Sequence, residues 1–134
     1  MWIKHNWQTA LELVAVAAVA FGVVLGASTY WQHRSQGAAE ELYAAKRLAP
    51  NSADQMKKLG EIADDYSRTP AGRQAMMALG SAFLAGKDYD RAIAEFKKLA
   101  GRSRNHPMLL IAALHRLAES ELAKGDAQTA AETY

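Results

Sequence analysis

A chain of 134 residues amounts to one modest domain plus whatever its N-terminus does, and a formal net charge of +2 is too small to imply a nucleic acid partner. Its basic residues are interleaved with acidic ones instead of gathered into a stripe. The lack of cysteine excludes disulfides, thiolate chemistry, Cys-ligated zinc and a lipoprotein-type lipid anchor.

The hydrophobic excess sits near the start. Residues 11–28 read LELVAVAAVAFGVVLGAS, with Glu12 as the sole ionisable residue. With its flanking aromatics the run reaches the roughly twenty residues that a helix needs to cross about 30 Å of hydrocarbon. Trp2 and Trp7 precede it, and Tyr30 and Trp31 come after, which is the pattern of an interfacial belt. Glu12 lies within a turn or so of the headgroups and reads as a boundary residue, not a proton relay. A cleaved signal peptide is the rival reading, since Lys4 precedes the run. Against it, the run exceeds an h-region of about 7–15 residues and no A-x-A site comes after it. The sequence therefore predicts a retained single-pass anchor in the lipid bilayer over residues 1–32. One face carries Ala18, Gly22 and Gly26 at four-residue spacing, which lets a second helix approach closely; simple abundance of small residues explains the pattern equally well. Charge leaves the topology open, with Lys4 on one side and Arg34, Lys46 and Arg47 on the other beside Glu40 and Glu41.

Beyond the span the chain has only three prolines, against a background of alanine, leucine, lysine and glutamate that favours helix. Residues 33–49 form the first stretch, with Ala38, Leu42, Ala45 and Ala49 on one face, and Pro50 stops it. Ser52-Ala53-Asp54-Gln55 fits a capping box, and Met56, Leu59, Ile62, Ala63 and Tyr66 supply the stripe of the helix it opens. Thr69 as N-cap and Pro70 at the first helical position begin another, with Met76, Leu79, Gly80, Phe83 and Leu84 inward. Gly86-Lys87-Asp88 makes a tight turn. Asp88 then caps a helix carrying Ala92, Ile93, Phe96, Leu99 and Ala100. After a polar connector at 101–105, Pro107 starts a helix with Leu110, Leu114, Leu117, Ala118 and Leu122 inward. Gly125-Asp126 turns into a last helix, barely begun at Tyr134.

These elements repeat. Pro70 and Pro107 are 37 residues apart, and Asp88 and Asp126 are 38 apart. A slide of 38 places Leu79 on Leu117, Ala92 on Ala130 and Phe96 on Tyr134. Helix, tight turn, helix at a period in the thirties is the pattern of an α-solenoid, whose pairs bury their apolar faces only by stacking. The predicted fold is all-α: one transmembrane helix, then a repeat domain over 33–134, in pairs at 33–68, 69–105 and 106–134, the last incomplete. Its final apolar face, with Ala130 and Tyr134, is left for another chain to cover.

Residues 73–106 resemble a tetratricopeptide repeat. Leu79-Gly80, Phe83, Ala92 and Phe96 fall where that motif has large, small, aromatic, small and aromatic residues; Met76 stands at its usual tryptophan position and Arg104 at its late proline position. The whole layout resembles the bacterial ancillary SecYEG translocon subunit family: a short N-terminus, one span ending in Tyr30-Trp31, an alanine-rich juxtamembrane helix and degenerate repeats. Stretches such as Leu114-His115-Arg116-Leu117-Ala118 and Lys124-Gly125-Asp126 carry that likeness too. It implies a single-pass protein of the bacterial inner membrane with a periplasmic repeat domain, working beside the Sec translocon and a periplasmic chaperone.

Catalytic chemistry finds no footing. His5 and His33 flank the span, His106 precedes Pro107 in a turn, and His115 sits mid-helix with no metal-ligand spacing around it. Adjacent acids at Glu40-Glu41 and Asp64-Asp65 point about 100° apart on a helix and do not converge. No phosphate-cradling glycine loop and no nucleophile elbow occurs. The expectation is a protein that is no enzyme, with no cofactor, no metal and no small-molecule substrate. Repeats of the tetratricopeptide type line a groove with the first helix of each pair. That resemblance places Gln74, Met77, Ser81 and Leu84 in the groove, with Ala112, His115 and Glu119 from the next pair; Met77 packing merely between helices is the alternative. Two functions stay open: a chaperone-like scaffold at the Sec translocon, or an accessory subunit of another membrane complex, respiratory or photosynthetic.

Overall fold

Five helices make up most of what the computed structural model describes, residues 2–125 and 131–133, with side chains from Asn6 onward. They are α1 (Trp2–Lys46), α2 (Ala53–Asp65), α3 (Pro70–Ala85), α4 (Tyr89–Arg102) and α5 (Pro107–Lys124). Residues 131–133 are helical again, and no strand occurs among the described residues. The expectations placed on Trp2, Lys4 and His5 as side chains, and on Asp126, Ala130 and Tyr134, lie outside the described residues. The chain divides into two units, Met1–Arg34 and Ser35–Tyr134.

The first unit is a helix whose described side chains are almost all exposed. Leu13, Val14, Val16, Val19, Phe21, Val23 and Val24 are each 64–68 % exposed. It is long and apolar enough to cross a membrane; residues 11–28 alone rise about 27 Å. Its polar groups turn inward on their own backbone: the Thr29 hydroxyl donates to the Leu25 and Gly26 carbonyls, at 3.0 Å each. Tyr30 and Trp31 meet edge to face with centroids 6.4 Å apart, and Arg34 Nη1 reaches the Tyr30 hydroxyl at 3.5 Å.

The second unit opens with the last turns of α1. Ala38, Leu42 and Ala45 are buried, but Ala49 is exposed. The helix ends at Lys46, three residues before the expected stop. The Arg47 and Leu48 amides bond three residues back, to Ala44 and Ala45, tightening the last turn, and the residue before Pro50 avoids helical backbone. Ala49 to Ser52 then form a β-turn closed by the Ser52 amide on the Ala49 carbonyl, with Pro50 second and Asn51 third at φ 58°. Proline followed by a residue that tolerates positive φ suits a type II turn. The capping box forms in a shifted version: the Ser52 hydroxyl accepts from the Gln55 amide at 3.2 Å, while Gln55 Oε1 accepts from Asn51 N at 2.8 Å instead of from Ser52. Gln55 Nε2 also donates to the Ala45 carbonyl, tying α2 to the frayed end of α1. Tyr66 adds a second tie, donating to Glu41 at 2.9 Å.

Alanines let the helices come close. Ala38, Ala45, Ala63, Ala71, Ala75 and Ala113 join Leu42, Leu59, Ile62, Met76, Leu79 and Leu99 in one core. A second cluster of Ala92, Phe96 and Leu117 binds α4 to α5, with Met77 and Phe83 of α3 against both. Along α5 the inward side differs from the expectation. Leu122 is 50 % exposed, and Ala113, Ser120 and Glu121 are buried where leucines were expected to carry the face. The small and polar positions are tolerated because each polar atom is met: Ser120 donates to the Arg116 carbonyl at 2.8 Å, and Glu121 accepts from the Thr133 hydroxyl at 2.8 Å.

The turn between α3 and α4 holds the αL residue where glycine is absent. Gly86 has φ −78°, whereas Lys87 takes φ 61°. The Lys87 amide bonds to Leu84 and the Asp88 amide to Phe83, the two bonds of a Schellman motif with lysine at the position that favours glycine. Lys87→Gly is therefore expected to raise stability by about 1 kcal/mol, since it removes the Cβ cost of left-handed backbone. Urea denaturation followed by circular dichroism reads this; a loss of stability would mean that the lysine side chain contributes more than its backbone costs.

Ion pairs lace the outer side. Lys98 on α4 reaches Asp64 on α2 and Glu95 one turn back, both at 3.1 Å, and Lys124 meets Asp90 at 2.7 Å. Burial pulls the Lys98 ammonium down, but the hydrogen bonds and charges of Asp64 and Glu95 outweigh it, so its pKa stands above the ordinary 10.5. The folded chain thus holds this proton more tightly than the unfolded chain does. Its contribution is complete below 10.5 and fades as pH rises through the raised value. Lys98 is about half exposed, which keeps the effect small. The stability difference between wild type and Lys98→Met should be constant from pH 7 to about 9 and shrink at higher pH; a difference that grows with alkalinity would refute the assignment.

Candidate partner-binding groove

The last turns of α1, with α3 and α5, line one side of the second unit, and two hollows lie between them. The first, about 280 Å³, takes Ser35, Ala39, Leu42, Tyr43 and Lys46 from α1 and Pro70, Ala71 and Gln74 from α3. The second, about 430 Å³, lies between Pro70, Arg73 and Gln74 at the start of α3 and residues 105–109 at the start of α5. Pro70 and Gln74 wall both, so the hollows form one groove across three helices.

Local sequence explains the opening. Both α3 and α5 begin with proline at the first helical position, where its missing amide costs nothing and its ring bars the chain from continuing the previous helix. Thr69 fixes the entry of α3: its hydroxyl accepts from the Gly72 amide at 3.1 Å and donates to the Tyr66 carbonyl at 2.8 Å. His106 holds the equivalent place before α5 and makes no side-chain cap bond, which leaves its ring to the groove wall. Ala39 and Ala71 are part of the groove's lining, with side chains too small to fill the space.

The groove is cationic and aromatic. Lys46, Arg73 and His106 line it, and no carboxylate does. Arg73 is the one charged residue of α3. Among the described residues neither Lys46 nor Arg73 forms a salt bridge; Arg73 spends one N–H on the Arg68 carbonyl at 2.9 Å. Apolar surface flanks these charges: Tyr43 is 64 % exposed, with the Arg47 guanidinium 5.2 Å over its ring, and Met108 is 80 % exposed.

Of the residues expected in a groove, Gln74 lies between the two hollows. Met77 and Leu84 are half-buried against the core clusters, and Ser81 and Ala112 are half-buried as well. His115 is exposed on α5, and Glu119 pairs with Arg116 at 2.9 Å. None of these six lines either hollow. Tyr43, Lys46, Arg73, Met108 and Leu109 were not anticipated. The equivalence of Pro70 and Pro107 could have pointed to the helix starts, but nothing in the sequence showed that the end of α1 takes part.

In the apolar helix, a methyl group added at Gly22 or Gly26 would meet nothing within 4 Å, so the face they share with Ala18 is open to a second helix. No cluster of three or more metal-ligating side chains occurs among the described residues. Over residues 1–134 the chain matches the tetratricopeptide repeat-like domain. No curated protein and no solved structure matches it.

Proposed function

The chain belongs to the tetratricopeptide repeat-like domain family, and on that premise we propose that it is a membrane-anchored adaptor that works by binding other proteins. The observation that carries this reading is the groove across α1, α3 and α5, open, flanked by exposed Tyr43 and Met108 and lined by Lys46 and Arg73, which form no salt bridge among the described residues. In this reading residues 1–32 are the anchor and 33–134 the repeat domain. Support for the anchor comes from an apolar surface that no part of the first unit covers, which water would penalise by about 25 cal/mol per Å² and lipid would not.

The finer form of the proposal is a chaperone-like, non-catalytic scaffold of the bacterial inner membrane, its repeat domain periplasmic, beside a Sec-type translocon and a periplasmic chaperone. What supports it is the layout of span, alanine-rich juxtamembrane helix and degenerate repeats. A second reading, an accessory subunit of another membrane complex, is favoured by the open Ala18, Gly22 and Gly26 face, which suits a permanent contact between helices. Gentle detergent extraction of the full chain from its own membranes, followed by affinity capture and quantitative mass spectrometry, separates them. Translocon subunits recovered substoichiometrically support the export scaffold; one unrelated complex at fixed stoichiometry would replace it with the subunit reading. Recovery of the chain alone, from a soluble fraction, would sink both.

A further inference from the structure

We propose that the repeat domain docks on anionic phospholipid headgroups through Arg68, Arg102 and Arg104, which the turns after α2 and α4 bring to the end where the domain begins. The inference rests on the reading of residues 1–32 as a membrane anchor and adds a second, electrostatic contact with the same bilayer.

Antiparallel packing gathers the two turns. Gln55 at the start of α2 bonds to Ala45 near the end of α1, so α2 runs back along α1, and Tyr66 at its far end reaches Glu41. Lys98 near the end of α4 meets Asp64 near the end of α2. The larger hollow sets Pro70 and Arg73 beside residues 105–109, and the smaller one sets Pro70 beside Ser35, the first residue of the second unit. Both turns and Ser35 therefore share one end of the helices.

Charge is divided unevenly between the two ends. Residues 66–74 and 99–109 hold Arg68, Arg73, Arg102, Arg104 and His106 without one acid. At the opposite end, residues 47–55 and 86–92 set Arg47, Lys87 and Arg91 against Asp54, Asp88 and Asp90. Asp64 and Asp65 close α2 just before the first basic turn, and Asp64 is held by Lys98. Arg68, Arg102 and Arg104 are exposed, whereas half-buried Arg73 gives an N–H to the Arg68 carbonyl and lines the groove. The tether then names the partner. Ser35 follows Trp31, the last aromatic residue of the apolar run, by four residues, a reach of at most about 14 Å even when fully extended. However the two units are set, headgroup phosphates stand within reach of the end that holds Ser35. An acidic protein would have to be recruited there. Guanidinium groups take phosphate oxygens in pairs, and three of them on separate turns suit a fluid layer of headgroups better than one shaped ligand.

The test labels the full chain at one site at a time. The chain has no cysteine, so Gly101→Cys carries a fluorophore at the basic end and Ala49→Cys one at the other; both positions are exposed, and a Cβ at Gly101 meets nothing within 4 Å. Each labelled chain is reconstituted into phosphatidylcholine vesicles, with or without phosphatidylglycerol, that hold a trace of headgroup spin-labelled lipid as quencher. The probe at 101 should be quenched more in the anionic vesicles, and the probe at 49 equally in both. Added salt should remove the difference. Arg68→Gln, Arg102→Gln and Arg104→Gln should each lower the ratio of docked to undocked domain about fivefold, with helical content unchanged. If a variant unfolds, the salt series on the labelled wild type still decides. Equal quenching at 101 in neutral and anionic vesicles overturns the proposal, as does docking that ignores salt and all three substitutions. Equal quenching in both vesicles, joined to protection of the probe at 101 from aqueous iodide only in native membranes, would give this end to an acidic protein instead. The two readings fail separately. A chain washed from the vesicles by alkaline carbonate is not anchored, whereas a chain that stays embedded with its probe indifferent to lipid charge keeps the anchor and loses the docking.

Discussion

Gly72→Ala is expected to destabilise the repeat domain by about 2–3 kcal/mol or more, the range of a clash that a well-packed interior cannot relieve. Gly72 sits in the first turn of α3, and a Cβ built there overlaps the carbonyl oxygen and carbon of Tyr66 and lies 3.0 Å from the Ser67 amide nitrogen. All three are backbone atoms at the end of α2. The Tyr66 carbonyl cannot swing aside cheaply, because it accepts both the Thr69 amide and the Thr69 hydroxyl at 2.8 Å. Moving it would undo the cap that starts α3 and the wall of the groove that Pro70 provides. Gly60 supplies the contrast. It is also helical, but an added methyl would meet only Leu79 Cδ2 at 3.9 Å, ordinary contact, so Gly60→Ala should gain about 1 kcal/mol from helix propensity. Urea denaturation of both variants in micelles, followed by circular dichroism, decides the matter. If Gly72→Ala were as stable as wild type, the Tyr66–Thr69 turn would have to be far more compliant than its hydrogen bonds imply.

Phe96→Ala should cost about 3–5 kcal/mol, the expected loss for a fully buried aromatic. Its ring is 0 % exposed and holds Ala92 and Leu117 together, joining α4 to α5. The ring also lies against α3: a Cβ at Gly80 would come within 2.7 Å of Cε1 and 2.9 Å of Cζ. Buried as it is, the ring has nowhere to turn, so Gly80→Ala should lose about 1–3 kcal/mol despite its better helix propensity. The two effects are coupled through one space. In a Phe96→Ala chain, Gly80→Ala should be neutral or stabilising, because the methyl enters the hole left by the ring. Additive losses in that double variant would show that Gly80 matters for its backbone and not for its missing side chain.

Much of the helical framework could be read from local chemistry. Thr69 and Pro70, Asp88, and Ser52 with Gln55 each cap the helix they were expected to open, because a side-chain oxygen three residues before an orphan amide is a local device. Ile62, Met76, Ala92, Phe96 and Leu99 are buried as their periodicity requires. The apolar run of residues 11–28 forms one helix, as its composition demands. Where expectation and structure part, a neighbour intervenes. Leu122 lies outward while Glu121 is buried and accepts from Thr133, a contact between residues twelve apart that no 3.6-residue pattern encodes. Lys87 adopts the left-handed conformation beside an available glycine, Gly86, which keeps an ordinary φ of −78°.

Residue order thus carries the helices, their caps, the apolar span and the repeat period, all of which depend on groups within a few turns of one another. The groove does not belong to that class. Its cations stand 27 residues apart in the chain, on α1 and α3, and the start of α5 comes a further 34 residues on. Lys46, Arg73 and His106 are ordinary surface residues one at a time. They line one slot only when the stacked helices bring them together, a matter of long-range contact that periodicity cannot express.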